Sequence, residues 1–148
     1  MMISRLQAIV LGIAVAMPAF TAQAEEAPER FVLTVYSNQG QLQGTAMNVA
    51  GSLVEENNEV HILLCGGAGE LALRDRMPEN LEPRGITPRE LMEEVMANGV
   101  SVSVCPLFLP NTAFGRYDTE DFVADVTEDT PQQMAERLSE AGTRVLSF

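Results

Sequence analysis

Between Thr87 and Pro106 one unbroken unit constrains what this chain can fold into. Thr87-Pro88-Arg89-Glu90 combines an N-cap hydroxyl, a proline at the first helical position and a glutamate placed to close a capping box. Leu91, Met92, Val95 and Met96 follow at helical spacing, and Asn98-Gly99 supplies a left-handed stop. Val100 to Val104 then alternates valine with serine, the period of a strand, and Cys105-Pro106 ends it, because proline cannot donate to a ladder. A helix feeding directly into a strand implies crossover connections, and crossovers imply a parallel sheet. Cys105 therefore falls at the carboxyl edge of the sheet, where open α/β folds place their chemistry.

The rest of the chain follows the same alternation. Phe31 to Ser37 is apolar or β-branched throughout and reads as a buried central strand. Gly44 to Asn57 carries Ala46, Val49, Ala50, Leu53 and Val54 at helical spacing. Val60 to Cys65 is a second continuous apolar strand, followed by the glycine-rich turn Gly66-Gly67-Ala68-Gly69. That turn matches neither GxGxxG nor a P-loop, so a tight strand-to-helix turn is the better reading than a phosphate cradle. Glu70 to Arg76 predicts a short helix, and Phe122 to Val126 a short fourth strand. Thr130-Pro131-Gln132-Gln133 repeats the capping signal, Gly142 ends that helix, and Thr143 to Phe148 closes the chain as a strand. The expected fold is α/β: a three-layer α/β/α sandwich with a mainly parallel sheet of about five strands.

Met1 to Ala24 stands apart. One arginine precedes an apolar run from Leu6 to Met17, Pro18 breaks it, and Ala22-Gln23-Ala24 is a small-x-small cleavage site. This is the pattern of a secretory signal peptide, and the run is too short to be an ordinary membrane span. The expected organisation is a signal peptide over 1–24, a flexible leader over 25–30 and one domain over 31–148. The domain is expected to be exported, to the periplasm in a Gram-negative source, with no stable membrane span after cleavage. The formal charge of the whole chain is −12, and none of its nine basic residues is lysine. Such a field repels nucleic acid. The absence of lysine excludes Schiff-base chemistry and a P-loop lysine, and a single histidine excludes a histidine-rich zinc centre. No cofactor motif is present.

The two cysteines, Cys65 and Cys105, both end strands. In an oxidising compartment a disulfide is the default suspicion. If strands two and three are neighbours, their ends lie about 4.8 Å apart, within disulfide range. If strand one intervenes, the separation is about 10 Å and no bridge forms without backbone movement. Two free thiols, a redox-active pair and a two-thiolate soft-metal site all remain open. Pro106 suits a first helical position, which would make Cys105 an N-cap whose thiolate is favoured by a helix dipole. Asn38, Gln39 and Asn111 follow strands one and three, and Gly66 and Gly67 follow strand two, so all five are candidates for the same edge. His61, alone in an apolar strand, reads as a packed residue rather than a base. Leu107-Phe108-Leu109, between two prolines, reads equally as a loop tucked under a neighbour or as an apolar rim for a partner subunit.

With these residues in place, the chain resembles the DsrE/DsrF-like sulfur-relay family. The resemblance rests on the first strand and helix, the strand ending Leu63-Leu64-Cys65-Gly66, the helix-Gly-strand-Cys unit from Leu91 to Cys105, and the closing Val145-Leu146-Ser147-Phe148 strand. It implies a homo-oligomer, a trimer or hexamer. It also implies a cysteine at Cys105 that accepts sulfur as a persulfide, with Cys65 as a possible second thiol, and exchanges it with a donor or acceptor protein. Pro106-Leu107-Phe108 departs from the small residues and basic-glycine pair that follow the cysteine in relay members.

Overall fold

The computed structural model describes residues 27–112 and 115–148. The signal peptide expected over 1–24 lies outside the described residues. In chain order the elements are β1 (Arg30–Val35), α1 (Gly40–Glu55), β2 (Glu59–Leu64), a 3-10 segment (Gly66–Ala72), α2 (Pro88–Ala97), β3 (Ser101–Val104), α3 (Phe108–Asn111), β4 (Thr127–Glu128), α4 (Pro131–Ser139) and β5 (Thr143–Ser147). All five strands pair in parallel, in the order β4-β3-β2-β1-β5. The fold is α/β, as expected.

Strand order explains the layers. From β1 to β3 the chain steps one way across the sheet, and α1 and α2 lie together on one face. From β4 it returns over the whole sheet to β5, and a right-handed crossover moving the other way must cover the opposite face. α4 does so. Strand side chains divide accordingly, since successive residues point to opposite faces. Leu33, Val35, Ile62, Leu64 and Val104 are fully buried and pack with Met47 of α1 and Met92 of α2 in the main core. Val32, Leu63, Cys65 and Cys105 form a second, smaller cluster against Met134 and Leu138 of α4. No residue of α4 is itself buried, so one short helix covers this face incompletely.

Both capping boxes form. Thr87 Oγ1 accepts from the Glu90 N–H at 3.1 Å, and Glu90 Oε2 accepts from the Thr87 N–H at 2.7 Å. Thr130 and Gln133 make the same reciprocal pair. Three local expectations are corrected. α1 starts at Gly40 rather than Gly44, because Gln43 is drawn inside and its Nε2 donates to the Ser37 carbonyl at 2.9 Å. The helix expected over Glu70 to Arg76 is a 3-10 segment beginning at Gly66, anchored by the buried Ala68, Leu71 and Ala72. The fourth strand is Thr127–Glu128, not Phe122 to Val126. Phe122 instead bridges Leu73 in antiparallel fashion, and Asp125 at φ 64° breaks any extended run.

Candidate functional site

The register of β2 against β3 sets the site. Leu64 lies opposite Val104, so the residues that leave the two strands, Cys65 and Cys105, also face each other. Each extends the ladder by one bond: the Cys65 N–H donates to the Val35 carbonyl at 2.8 Å and the Cys105 N–H to the Leu64 carbonyl at 2.9 Å. Their Cα atoms are 4.9 Å apart and their sulfurs form a disulfide. The two cysteines are thus paired in this structure rather than free. The half-cystines are 5% and 8% exposed and cluster with Met134 and Leu138 of α4. Cys105 Sγ is 3.9 Å from Met134 Sδ on that helix.

The expected helix start at Cys105-Pro106 does not form. The Phe108 N–H donates to the Cys105 carbonyl at 3.0 Å, closing a turn over Pro106 and Leu107, and the four-residue α3 begins only at Phe108. The capping position falls to Cys65 instead. It precedes the 3-10 segment with extended backbone (φ −121°, ψ 156°), and its carbonyl accepts from the Ala68 N–H at 3.2 Å. Backbone conformation at Gly66 and close packing at Gly67 and Gly69 explain the glycines of this turn. Gly66 has φ +53°; a Cβ on Gly67 would lie 2.8 Å from Asn38 Cβ, and one on Gly69 would run into the Phe108 ring.

Over the disulfide opens a cleft of about 1020 Å³ between the strand tips and α4. Cys65 and Cys105 line it together with Tyr36, Leu107, Met134 and Leu138, so its surface is mostly apolar. Phe108 and Leu109 are buried, as the tucked-loop reading expects, whereas Leu107 is 74% exposed at the rim. Among the residues expected at this edge, Gly66, Gly67 and Asn111 line the cleft. Asn111 Nδ2 donates to the Leu107 carbonyl at 2.7 Å and holds the rim. Asn38 faces a separate hollow of about 300 Å³ behind Gly67. Gln39 lies outside the cleft: its carbonyl accepts from the Leu42 and Gln43 N–H groups as the first turn of α1 closes. Tyr36, Glu70 and Arg76, all cleft residues, escaped the sequence reading. For Tyr36 a signal existed, since it leaves β1 at the same edge as the cysteines.

His61 is buried under α4 and does not line the cleft. Its Nδ1 is 2.6 Å from Ser101 Oγ and its Nε2 2.7 Å from Ser103 Oγ. A neutral ring donates from one nitrogen and accepts at the other, and a hydroxyl satisfies either role. Burial lowers its pKa to about 4, helped by the Arg137 charge and opposed by Asp129. Arg137 Nε and Nη2 grip the buried Asp129 carboxylate at 3.0 and 3.2 Å, tying α4 to the end of β4.

No family model and no curated protein matches this chain. Among the described residues no helix is long and apolar enough to cross a membrane.

Proposed function

We propose that this is an exported thiol–disulfide protein that takes up a sulfur species on Cys105, in the manner of the sulfur-relay family it resembles. The observation that carries the reading is the position of the disulfide. A bridge between the ends of two adjacent parallel strands forms the floor of an apolar cleft at the carboxyl edge of the sheet. A sulfur nucleophile entering the cleft meets a preformed electrophile. Hydrosulfide attacks Cys105 Sγ and forms a new S–S bond, while the bond to Cys65 breaks. Cys65 leaves as a thiolate, reduced, and the incoming sulfur is oxidised to the outer atom of a Cys105 persulfide. Cys105 is the sulfur attacked, as the resemblance implies, and Cys65 is then the leaving thiolate. An acceptor thiolate then removes the outer sulfur, and exchange with an external disulfide restores the bridge.

The test is intact mass of the oxidised protein after incubation with sulfide. The expected product carries one added sulfur atom on the Cys105 peptide and one alkylatable thiol at Cys65. Cys105→Ser abolishes the adduct, and Cys65→Ser, given a sulfane donor, retains it. An unchanged mass under conditions that open a small-molecule disulfide overturns the reading.

A second reading is favoured by the burial of both half-cystines: a staple in a non-catalytic protein that binds a ligand or partner at the same edge. The bridge spans a sequence separation of 40 residues. Chain-entropy arguments assign such a loop about 4 kcal/mol. Homo-oligomerisation as a trimer or hexamer and export to the periplasm belong to the same proposal. They rest on the resemblance and on the leader sequence, and light scattering of the mature protein and fractionation of the source cells test them.

A further inference from the structure

The cleft that exposes the disulfide is mostly apolar, and the charged residues of its lining are Arg76 and Glu70. Arg76 differs from the other described arginines. Arg30, Arg84, Arg137 and Arg144 hold carboxylates at hydrogen-bonding distance, Arg74 and Arg89 donate to backbone carbonyls, and Arg116 donates to the Tyr117 hydroxyl. Arg76 has only a distant ionic contact, Nη2 to Glu70 Oε1 at 3.9 Å, and its buried Nε has no partner among the described residues. Its guanidinium lies over the Tyr117 ring at 5.8 Å, which steadies the plane without using its donors. Its Nη groups, on a half-exposed side chain, make no hydrogen bond among the described residues, and such planar donors beside an apolar cleft match a carboxylate or another oxyanion.

We propose that the cleft accepts a thiol or persulfide carried on an apolar body with one anionic group, the anion held by Arg76 and the sulfur delivered to Cys105. The assignment rests on the reading that the disulfide is opened by a sulfur nucleophile, and it adds the class of molecule that does so. The apolar walls, including Tyr36, Leu107, Met134 and Leu138, take the body of the ligand. In a chain with a formal charge of −12, an anion needs a local cation to enter. The covalent step balances as before. The thiolate forms a bond to Cys105 Sγ, the Cys65–Cys105 bond breaks, and Cys65 departs as a thiolate that takes a proton from solvent.

The experiment compares mercaptoundecanoate, mercaptoundecanol and mercaptopropionate as openers of the oxidised protein, with mixed disulfide followed by mass. Mercaptoundecanoate is expected to react fastest. Arg76→Gln should slow it about tenfold, the worth of one charge-assisted contact, while leaving mercaptoundecanol unchanged. Arg76→Lys should restore part of the preference. Equal rates for acid and alcohol in the parent protein, or an equal loss for both in Arg76→Gln, overturn the assignment while leaving the disulfide chemistry standing. A disulfide that none of the three opens overturns the chemistry. In that case unreactive decanoate still decides the ligand class. A rise in the unfolding midpoint with decanoate, absent with decanol and lost in Arg76→Gln, supports it, and no such rise refutes it.

Discussion

His61 is the buried group whose protonation the fold resists most clearly, and the cost can be worked out. In the unfolded chain its pKa is the ordinary 6.5; in the folded protein it is about 4, because the ring is buried under α4 and faces Arg137. Between these values the unfolded state binds a proton that the native state does not, so stability rises with pH through that window. The lowered folded pKa means that the contribution is complete above pH 6.5 and is lost as pH falls through 4. A difference of this size corresponds to about 3 kcal/mol, a large share of the stability of a small domain. Hydrogen bonding is not what is lost, since Ser101 and Ser103 present hydroxyl oxygens that accept from an imidazolium as well. The cost is desolvation first and the Arg137 charge second, partly offset by Asp129. The perturbation is His61→Gln, which keeps a polar side chain without a titrating one. Urea unfolding of both proteins at intervals from pH 7.5 to 3.5 isolates the effect, because other titrating groups are common to both. The stability of the parent protein relative to the variant should fall by about 3 kcal/mol across the window, with no change above it. Parallel curves, or an imidazole resonance titrating near its ordinary value in the folded protein, would refute the reasoning.

Three other outcomes follow from packing and charge. Replacing both cysteines by serine should lower stability by about 4 kcal/mol, read from urea midpoints without reductant; a loss below about 1 kcal/mol would show that the bridge constrains little. Gly69→Ala should cost about 1–3 kcal/mol in thermal unfolding, because the new methyl meets the buried Phe108 ring, and Phe108→Leu in the same chain should recover part of it. Arg137→Met should strand the 3%-exposed Asp129 carboxylate and destabilise by about 1–3 kcal/mol, discounted because Arg137 is one-third exposed. The same variant removes a charge that depresses His61, so the histidine should titrate at a higher pH by NMR.

Local chemistry was legible in the chain itself. Thr87-Pro88 and Thr130-Pro131 announce helices that start where expected, because a cap is satisfied within a few residues of itself. The valine–serine alternation before Cys105 marks a strand. It even implies that Ser101 and Ser103 share a face, though not that His61 stands between them on that face. The chain also states that both cysteines end strands, and it stops there. Whether they meet depends on β2 and β3 being neighbours, a pairing decided by how three helices pack over a whole sheet. Where local signals compete, tertiary contacts prevailed. Pro106 is a good helix starter, yet Phe108 is drawn into the core against Gly69, and its N–H closes a turn on the Cys105 carbonyl instead. The cleft is the clearest case. It is built from residues that leave β1, β2 and β3 and from one face of α4, spanning Tyr36 to Leu138. A concavity is a relation between distant segments, so no window of sequence contains it.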